Sequence, residues 1–214
     1  MSKAISLTDD SGAIGLTDDK GSAIAVIILA AGSASRMGRL KQVLAYGSGT
    51  LVQNAVEQAR QAGFSPIVVV IGAEASQVRA SLSGLPVEIA ENRDWALGMG
   101  SSIICGMKAL EQSGVTVNAV AVLLADQPLV KASHLNRMGE AFTPDHFALA
   151  AEYDGSIGVP AIFGRKLFAD LRSLPPHMGA KQLLRRLGAD VARFPLPEAG
   201  ADIDTPEDYA RLTS

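Results

Sequence analysis

An uninterrupted β-branched and apolar run, Ile24 to Leu29, passes directly into Ala30-Ala-Gly-Ser-Ala-Ser-Arg-Met-Gly-Arg-Leu-Lys41, and this junction restricts the fold more than any other stretch. A segment apolar at consecutive rather than alternate positions suits a strand covered on both faces, as inside a parallel sheet flanked by helices. The loop after it is made of small residues. Gly32, Ser33, Ala34 and Ser35 put little bulk between main chain and ligand, so several N–H groups can converge on phosphate oxygens. Arg36 and Lys41 add positive charge that such dipoles only partly supply. Two familiar phosphate loops do not fit. A Walker loop requires Gly-Lys-Ser/Thr, whereas Gly38 is followed by Arg39 and Leu40 before Lys41. A dinucleotide fingerprint requires a glycine where Ala34 stands.

From Ala23 onward the chain alternates β-rich runs with helical patterns, which predicts an α/β fold: a doubly wound, mostly parallel sheet with helices on both faces. Strands are expected at Ile24–Ala30, Pro66–Ile71, Val87–Ala90, Ala119–Ala125, Phe147–Ala151 and Val159–Phe163. Thr50 and Gln53 form a capping box for a helix that turns Val52, Val56 and Ala59 inward and stops at Gly63. Further helices are expected near 74–82, 101–112, 133–142 and 181–187. Thr205, Pro206 and Asp208 give a cap, a first-turn proline and a first-turn acid to a last helix. Residues 1–22 repeat one motif, Ala-Ile-Ser-Leu-Thr-Asp-Asp and then Ala-Ile-Gly-Leu-Thr-Asp-Asp. They are expected to be a flexible leader outside a domain at 23–214.

A net charge of −3 with no basic run argues against a nucleic-acid surface, so the phosphate should belong to a small molecule. The longest apolar run, Ala23 to Ala31, is about half a bilayer span, and no secretory signal opens the chain; no membrane partner and a cytoplasmic location are expected. The single cysteine, Cys105, rules out an internal disulfide and a thiolate metal site, and reads as a packing residue on a helix. His134, His146 and His177 read as solvent or loop residues.

Four segments carry the chemistry, because ligands of such sheets collect outside the carboxyl ends of the strands. The first is the loop above. The second is Asn92-Arg-Asp-Trp-Ala-Leu-Gly-Met-Gly-Ser-Ser-Ile103, where Gly98 and Gly100 precede Ser101 and Ser102 at a helix start. It suits a ligand loop or a plain helix start anchored by Trp95. The third is Val122-Leu-Leu-Ala-Asp-Gln-Pro128. A carboxylate such as Asp126 at the end of an apolar strand is costly unless paired, and a Mg²⁺ ion, which takes one or two carboxylates plus water and phosphate oxygens, would pair it; a turn aspartate ahead of Pro128 is the other reading. The fourth is Ala201-Asp-Ile-Asp-Thr-Pro-Glu-Asp208, in which Asp202 and Asp204 point the same way by alternation. By themselves these read as surface and capping acids.

In this order the four segments resemble the nucleotidyltransferases of molybdenum cofactor maturation, in particular their cytidylyltransferase-like branch. Leu29-Ala-Ala-Gly-Ser-Ala-Ser-Arg-Met-Gly-Arg-Leu-Lys41 is similar to that family's nucleotide signature. Gly98-Met-Gly-Ser-Ser-Ile103, Leu124-Ala-Asp-Gln-Pro128, Gly158-Val-Pro-Ala-Ile-Phe163 and Asp202-Ile-Asp-Thr-Pro-Glu-Asp208 are similar to its later blocks. The resemblance covers about residues 23–212 and implies a nucleotide-diphospho-sugar transferase-like, Rossmann-like architecture. It further implies that Leu29, Ala30, Ala31, Gly32, Ser33, Arg36 and Lys41 bind the nucleotide, that Asn92, Ser101 and Ser102 make polar contacts to base or ribose, and that Asp126 holds Mg²⁺ with Asp204 completing the metal site. Asp202 stays open as the alternative second ligand. Where many relatives have Gly-Asp followed by Gly-Ala-Arg/Lys, this chain has Pro176-His-Met-Gly-Ala-Lys181, so an acid is missing on the acceptor side.

The implied reaction moves CMP from CTP to the terminal phosphate of a molybdopterin-type acceptor and releases pyrophosphate, with Arg36 and Lys41 stabilising the leaving group and Asp126 carrying the metal. An ionised acceptor phosphate requires no general base. Relatives that transfer GMP usually have two glycines where Ala31-Gly32 stands here, so the Ala31 methyl favours the smaller pyrimidine. A molybdenum hydroxylase client is a further implied partner. GMP transfer, another phosphorylated acceptor, and a delivery or oxidoreductase role alongside molybdenum hydroxylases are the alternatives, and Ala34 disfavours nicotinamide binding.

Overall fold

A computed structural model of the chain describes residues 23–33, 39–143 and 145–213; the repeated leader and Arg36 lie outside them. A seven-stranded sheet is built from β1 (Ile24–Ala30), β4 (Ile67–Ile71), β5 (Glu88–Glu91), β6 (Ala119–Leu124), β7 (Ala148–Tyr153), β8 (Ser156–Gly164) and β9 (Val191–Pro195). Its strand order is β5-β4-β1-β6-β8-β7-β9. A two-stranded hairpin, β2 (Ala45–Tyr46) and β3 (Gly49–Thr50), stands apart from it. The helices are α1 (Leu51–Gln61), α2 (Ala75–Ser81), α3 (Met99–Gln112), α4 (Ala132–Ala141), α5 (Phe168–Arg172), α6 (Ala180–Leu187) and α7 (Pro206–Thr213).

β1 pairs in parallel with β4 on one side and β6 on the other, Val26 standing beside Ile67 and Ala121. The chain therefore winds outward in both directions from the β1/β6 boundary, where a crevice opens at the carboxyl ends of the strands. Successive side chains of β1 feed two cores. Val26, Ile28 and Ala30 pack with Val52 and Val56 of α1 and Leu135 and Met138 of α4, whereas Ala25, Ile27 and Leu29 pack with Ile103 and Met107 of α3 and Leu183 of α6. That is the physical basis of the unbroken apolar run: each residue has a core to enter, and burying each large one stabilises the fold by about 1.5–3 kcal/mol.

The sheet is mostly parallel, with one strand reversed. β8 runs antiparallel to both β6 and β7, while β7 and β9 are parallel. The reversal comes from Asp154-Gly155, whose φ values of 50° and 66° are both positive, the backbone of a two-residue hairpin turn matched to strand twist. This turn lengthens β7 to Tyr153 and starts β8 at Ser156, beyond the expected limits of both. β9 is absent from the expected strands. Its Arg193 and Pro195 resemble tail residues, and an edge strand accommodates them because one side of its backbone has no partner to lose. The α1 capping box forms as read: Gln53 Oε1 accepts from Thr50 N at 2.8 Å, and Thr50 Oγ1 accepts from Gln53 N at 3.4 Å. At the last helix Thr205 and Asp208 make the equivalent exchange, with Asp208 N donating to Thr205 Oγ1 at 3.1 Å and Thr205 N to Asp208 Oδ2 at 3.0 Å. No described helix is long and apolar enough to cross a membrane.

Candidate active site at the carboxyl edge of β1 and β6

A cavity of about 350 Å³ opens at the β1/β6 boundary, with Leu29, Ala31, Gly32 and Ser33 on one wall, Lys41, Gln42 and Asp126 on a second, and Trp95, Met99 and Ser102 on a third. The first wall is the end of β1, held by Ala125 N donating to Leu29 O at 3.2 Å and Ala73 N donating to Ala31 O at 3.1 Å. Gln42 fastens the loop from below. Its side chain is buried and its Nε2 donates to Gly32 O at 2.9 Å, while its buried Oε1 has no partner. Gln42 was not singled out from sequence, where an amide after a lysine carries no signal. Ala30 was, but the strand turns its side chain into the opposite core and away from the cavity.

Asp126 follows β6, and its main-chain oxygen accepts from Ile203 N at 3.0 Å. That single bond brings the C-terminal segment against the strand end and, because Ile203 is fully buried, leaves Asp202 and Asp204 on either side of the anchor. Lys41, in the short 3-10 turn Lys41–Val43, reaches into the gap. Its ammonium is paired with Asp126 Oδ2 and lies 2.9 Å from Asp204 Oδ1. Burial on its own would depress the lysine, yet Asp126 and then Asp204 hold its pKa above the ordinary value. Beside Asp126, Gln127 is buried and donates from Nε2 to Val159 O at 3.2 Å and Ala199 O at 2.7 Å, stitching β6 to β8 and to the turn ahead of the aspartates.

Asp202 is the perturbed acid of the group. Burial first, and then the charge of Asp126, push its carboxyl up to about 6. Its folded pKa thus exceeds the unfolded value, so the ionised form opposes folding, and stability falls as pH rises from about 4 through 6. In the absence of divalent cation, Asp202→Asn is expected to raise unfolding stability by about 1–2 kcal/mol at pH 7.5, a figure reduced for partial exposure. The gain should vanish by pH 4. Urea unfolding at the two pH values checks this, and equal stabilisation at both would contradict it.

The residues present suit a hard cation. Asp126 Oδ1 and Asp202 Oδ1 are buried without hydrogen-bond partners, and carboxylate oxygens are the donors Mg²⁺ and Mn²⁺ prefer. Among the described residues no three or more His, Cys, Asp or Glu side chains converge as a ready metal cage. The carboxylate gap is instead filled by Lys41.

The glycine-serine block behaves differently from its sequence reading. α3 starts at Met99, two residues earlier than expected, and places Ser101 and Ser102 in its first turn. Asn92 Nδ2 donates to Ser101 Oγ at 2.8 Å and Ser102 Oγ at 3.0 Å, and Ser101 Oγ donates to Gly98 O at 2.7 Å. Asn92 and Ser101 are thus buried and spent on each other, whereas Ser102 also lines the cavity. Gly98, at φ 119°, and Gly100 receive the segment Pro175–Met178: a Cβ on Gly98 would come within 2.9 Å of both His177 Cα and Pro176 O. Ser101 N donates to Pro176 O at 3.2 Å. The segment containing Pro176, His177 and Met178 is therefore laid directly on the glycine-serine block.

None of the hydrogen bonds described for His134 and His146 goes to Asp126, Asp202 or Asp204. His134 lies in the first turn of α4 rather than in a loop, its Nδ1 accepting from Lys131 N at 3.3 Å, and His146 Nδ1 accepts from Thr143 N at 3.3 Å. Cys105 is half-buried on α3 against the second core, where burial raises its thiol pKa.

Comparison with known proteins agrees with this geometry. The chain is 32% identical over 198 residues to the nicotine blue oxidoreductase of Paenarthrobacter nicotinovorans, covering 87% of this chain and 94% of that protein. It is 30% identical over 198 residues to the purine catabolism protein PucB of Bacillus subtilis, covering 86% and 92%. Rv0371c of Mycobacterium tuberculosis H37Rv, solved in complex with manganese, superposes with a TM-score of 0.71 at 28% identity over 90% of this chain and 98% of that one. The description "MobA-like NTP transferase domain" matches residues 26–191, a span that runs from β1 to the start of β9 and takes in the cavity, Lys41 and Asp126. With the β1 strand end, the strand-end carboxylate and the crossover all inside that span, the chain is a nucleotidyltransferase-superfamily enzyme and belongs to the MobA-like NTP transferase domain family.

Proposed function

We propose that this enzyme transfers CMP from CTP to the terminal phosphate of a molybdopterin-type cofactor. The observation that carries the reading is the opposition, across one cavity, of the Ala31-Gly32-Ser33 strand end and the Lys41 and Asp126 pair. A polyphosphate laid along the strand end meets main-chain dipoles on one side and an ammonium on the other. Asp126, with Asp204 or Asp202, would hold a divalent cation, a reading supported by the solution of the similar Rv0371c in complex with manganese. When bound, that ion neutralises charge on the phosphate oxygens.

The chain's own residues then have defined tasks. An acceptor phosphate oxygen forms a new bond to the α-phosphorus of the nucleotide, and the bond from α-phosphorus to its bridging oxygen breaks, the electron pair leaving with pyrophosphate. Lys41 stabilises that leaving group, and Arg36 is proposed to share the task. Alignment by the Gly32 loop supplies most of what such a displacement needs, because no proton has to be removed from an ionised acceptor. Ala31 lines the cavity and its Cβ faces Gly72, where a Cβ would lie 2.8 Å away. The methyl narrows the wall on the base side, which favours a pyrimidine over a purine. GMP transfer is the runner-up within this chemistry.

Thermal unfolding with Mg²⁺ and each of CTP, GTP, ATP, UTP and NADH tests the proposal. Ligand at about 100 times its dissociation constant adds about 2.7 kcal/mol, which at this chain length raises Tm by about 5–10 °C. CTP is expected to give that shift only with Mg²⁺ present. A shift with GTP alone would overturn the assignment of the base. The similarity to nicotine blue oxidoreductase favours one second reading, hydride transfer, and a shift confined to NADH would establish it in place of CMP transfer.

A further inference from the structure

The carboxylates of Asp126, which lines the cavity, and Asp204 share one described cation, the Lys41 ammonium. A lysine beside a cavity ordinarily extends its strongly hydrated head toward water. This side chain is only 18% exposed and spans two acids 78 residues apart in sequence, pairing with Asp126 and lying 2.9 Å from Asp204. The space between those two oxygens is where a hard divalent ion would sit if both acids held it, since Mg²⁺ requires carboxylate oxygens at about 2.1 Å. Ammonium and metal cannot both occupy it.

The same side chain lines the cavity beside Gly32 and Ser33. Its backbone is fixed, because the adjacent Gln42 is clamped to Gly32 O at 2.9 Å and Leu44 N closes the turn on Lys41 O at 3.0 Å. Only the flexible four-carbon stem has freedom to move, and from that fixed base it reaches either the carboxylates or an anion lying along the strand end.

We propose that Lys41 is the resident cation of the carboxylate site in the nucleotide-free enzyme, a placeholder that leaves Asp126 and Asp204 for the nucleotide's phosphates as a divalent ion takes its position. This rests on the metal-dependent nucleotidyltransferase reading and goes beyond it. Metal binding to the free protein is weak because it must displace an internal ammonium with nowhere better to go. Nucleotide supplies the second partner for that ammonium, so metal and nucleotide enter together. Removing the ammonium therefore strengthens metal binding while weakening nucleotide binding, the opposite of what loss of a purely structural ion pair does.

Titration of the full chain with Mn²⁺, read as loss of the free-ion electron paramagnetic resonance signal, tests this without reference to turnover. Lys41→Met is expected to bind Mn²⁺ at least about tenfold more tightly than the unaltered protein in the absence of nucleotide, and Asp126→Asn in the Lys41→Met background to abolish the gain. Adding CTP is expected to tighten Mn²⁺ binding to the unaltered protein far more than to Lys41→Met. Lys41→Gln, which keeps a neutral donor toward the acids, gives the same comparison should the methionine variant not fold. Equal or weaker Mn²⁺ affinity in the folded variants overturns the placeholder. If CTP still drives Mn²⁺ onto the unaltered protein in that case, the nucleotidyltransferase reading stands and only the placeholder falls. If Mn²⁺ binds none of the proteins with or without CTP, both fall together.

Discussion

Asp126→Asn is expected to reduce nucleotidyl transfer by about 10³-fold or more while leaving the protein folded. The substitution keeps the shape of the side chain but removes the charge at the carboxyl end of β6, which faces the cavity and pairs with Lys41. Folding tolerates it for two reasons visible in the geometry. Asp204, at 2.9 Å, keeps Lys41 paired, and one like charge fewer presses on Asp202, whose carboxyl is already pushed up to about 6 by burial and by Asp126. The decisive measurement is single-turnover release of pyrophosphate alongside thermal unfolding. A folded variant with near-normal transfer would remove Asp126 from the reaction.

Gly100→Ala is expected to destabilise the protein by about 2–4 kcal/mol, a fall in Tm of about 5–15 °C. A Cβ at that position would press into the carbonyl oxygens of Pro175 and Met178 and lie 3.0 Å from that of Pro176. All three obstacles are main chain, so no side chain can swing aside, and relief requires moving the 175–178 segment or the first turn of α3. Because Ser101 N is bonded to Pro176 O and Ser102 lines the cavity, the displacement should also weaken nucleotide binding. Gly114→Ala is the control, since a Cβ there meets nothing within 4 Å and only its φ of 70° opposes the change, a strain of about 1–2 kcal/mol. Urea unfolding distinguishes the two, and equal losses would show that steric approach at Gly100 is unimportant.

The double-sided core was legible residue by residue because the hydrophobic pattern is set by where side chains must go. β1 has the limits read from sequence, and the capping residues Thr50, Gln53, Thr205 and Asp208 make the bonds their types predict. Local chemistry suffices for such features. The direction of β8 was not read, although the Asp154-Gly155 signal was present. β9 gave too little signal, since an edge strand need not be apolar on both faces.

The site divides along the same line. The small-residue loop and the strand-end acid Asp126 drew attention because their residue types are unusual for their positions, whereas Asp202 and Asp204 read alone as surface and capping acids and were singled out only by the family resemblance. Their partners were not recognisable. Sequence offered Lys41 to a phosphate and Asn92 and Ser101 to a base or ribose, whereas the fold turns Lys41 onto two carboxylates and spends Asn92 and Ser101 on each other. Gln42, Gln127 and the approach of Pro175–Met178 to Gly98 and Gly100 had no local signature. Periodicity and composition record whether a residue is buried, and thereby determined the layers and the strands buried on both faces. Which charge faces which at the carboxyl edge of the sheet depends on contacts between segments as much as 163 residues apart, and only the tertiary structure, by bringing those segments within the few ångströms over which a hydrogen bond acts, decided it.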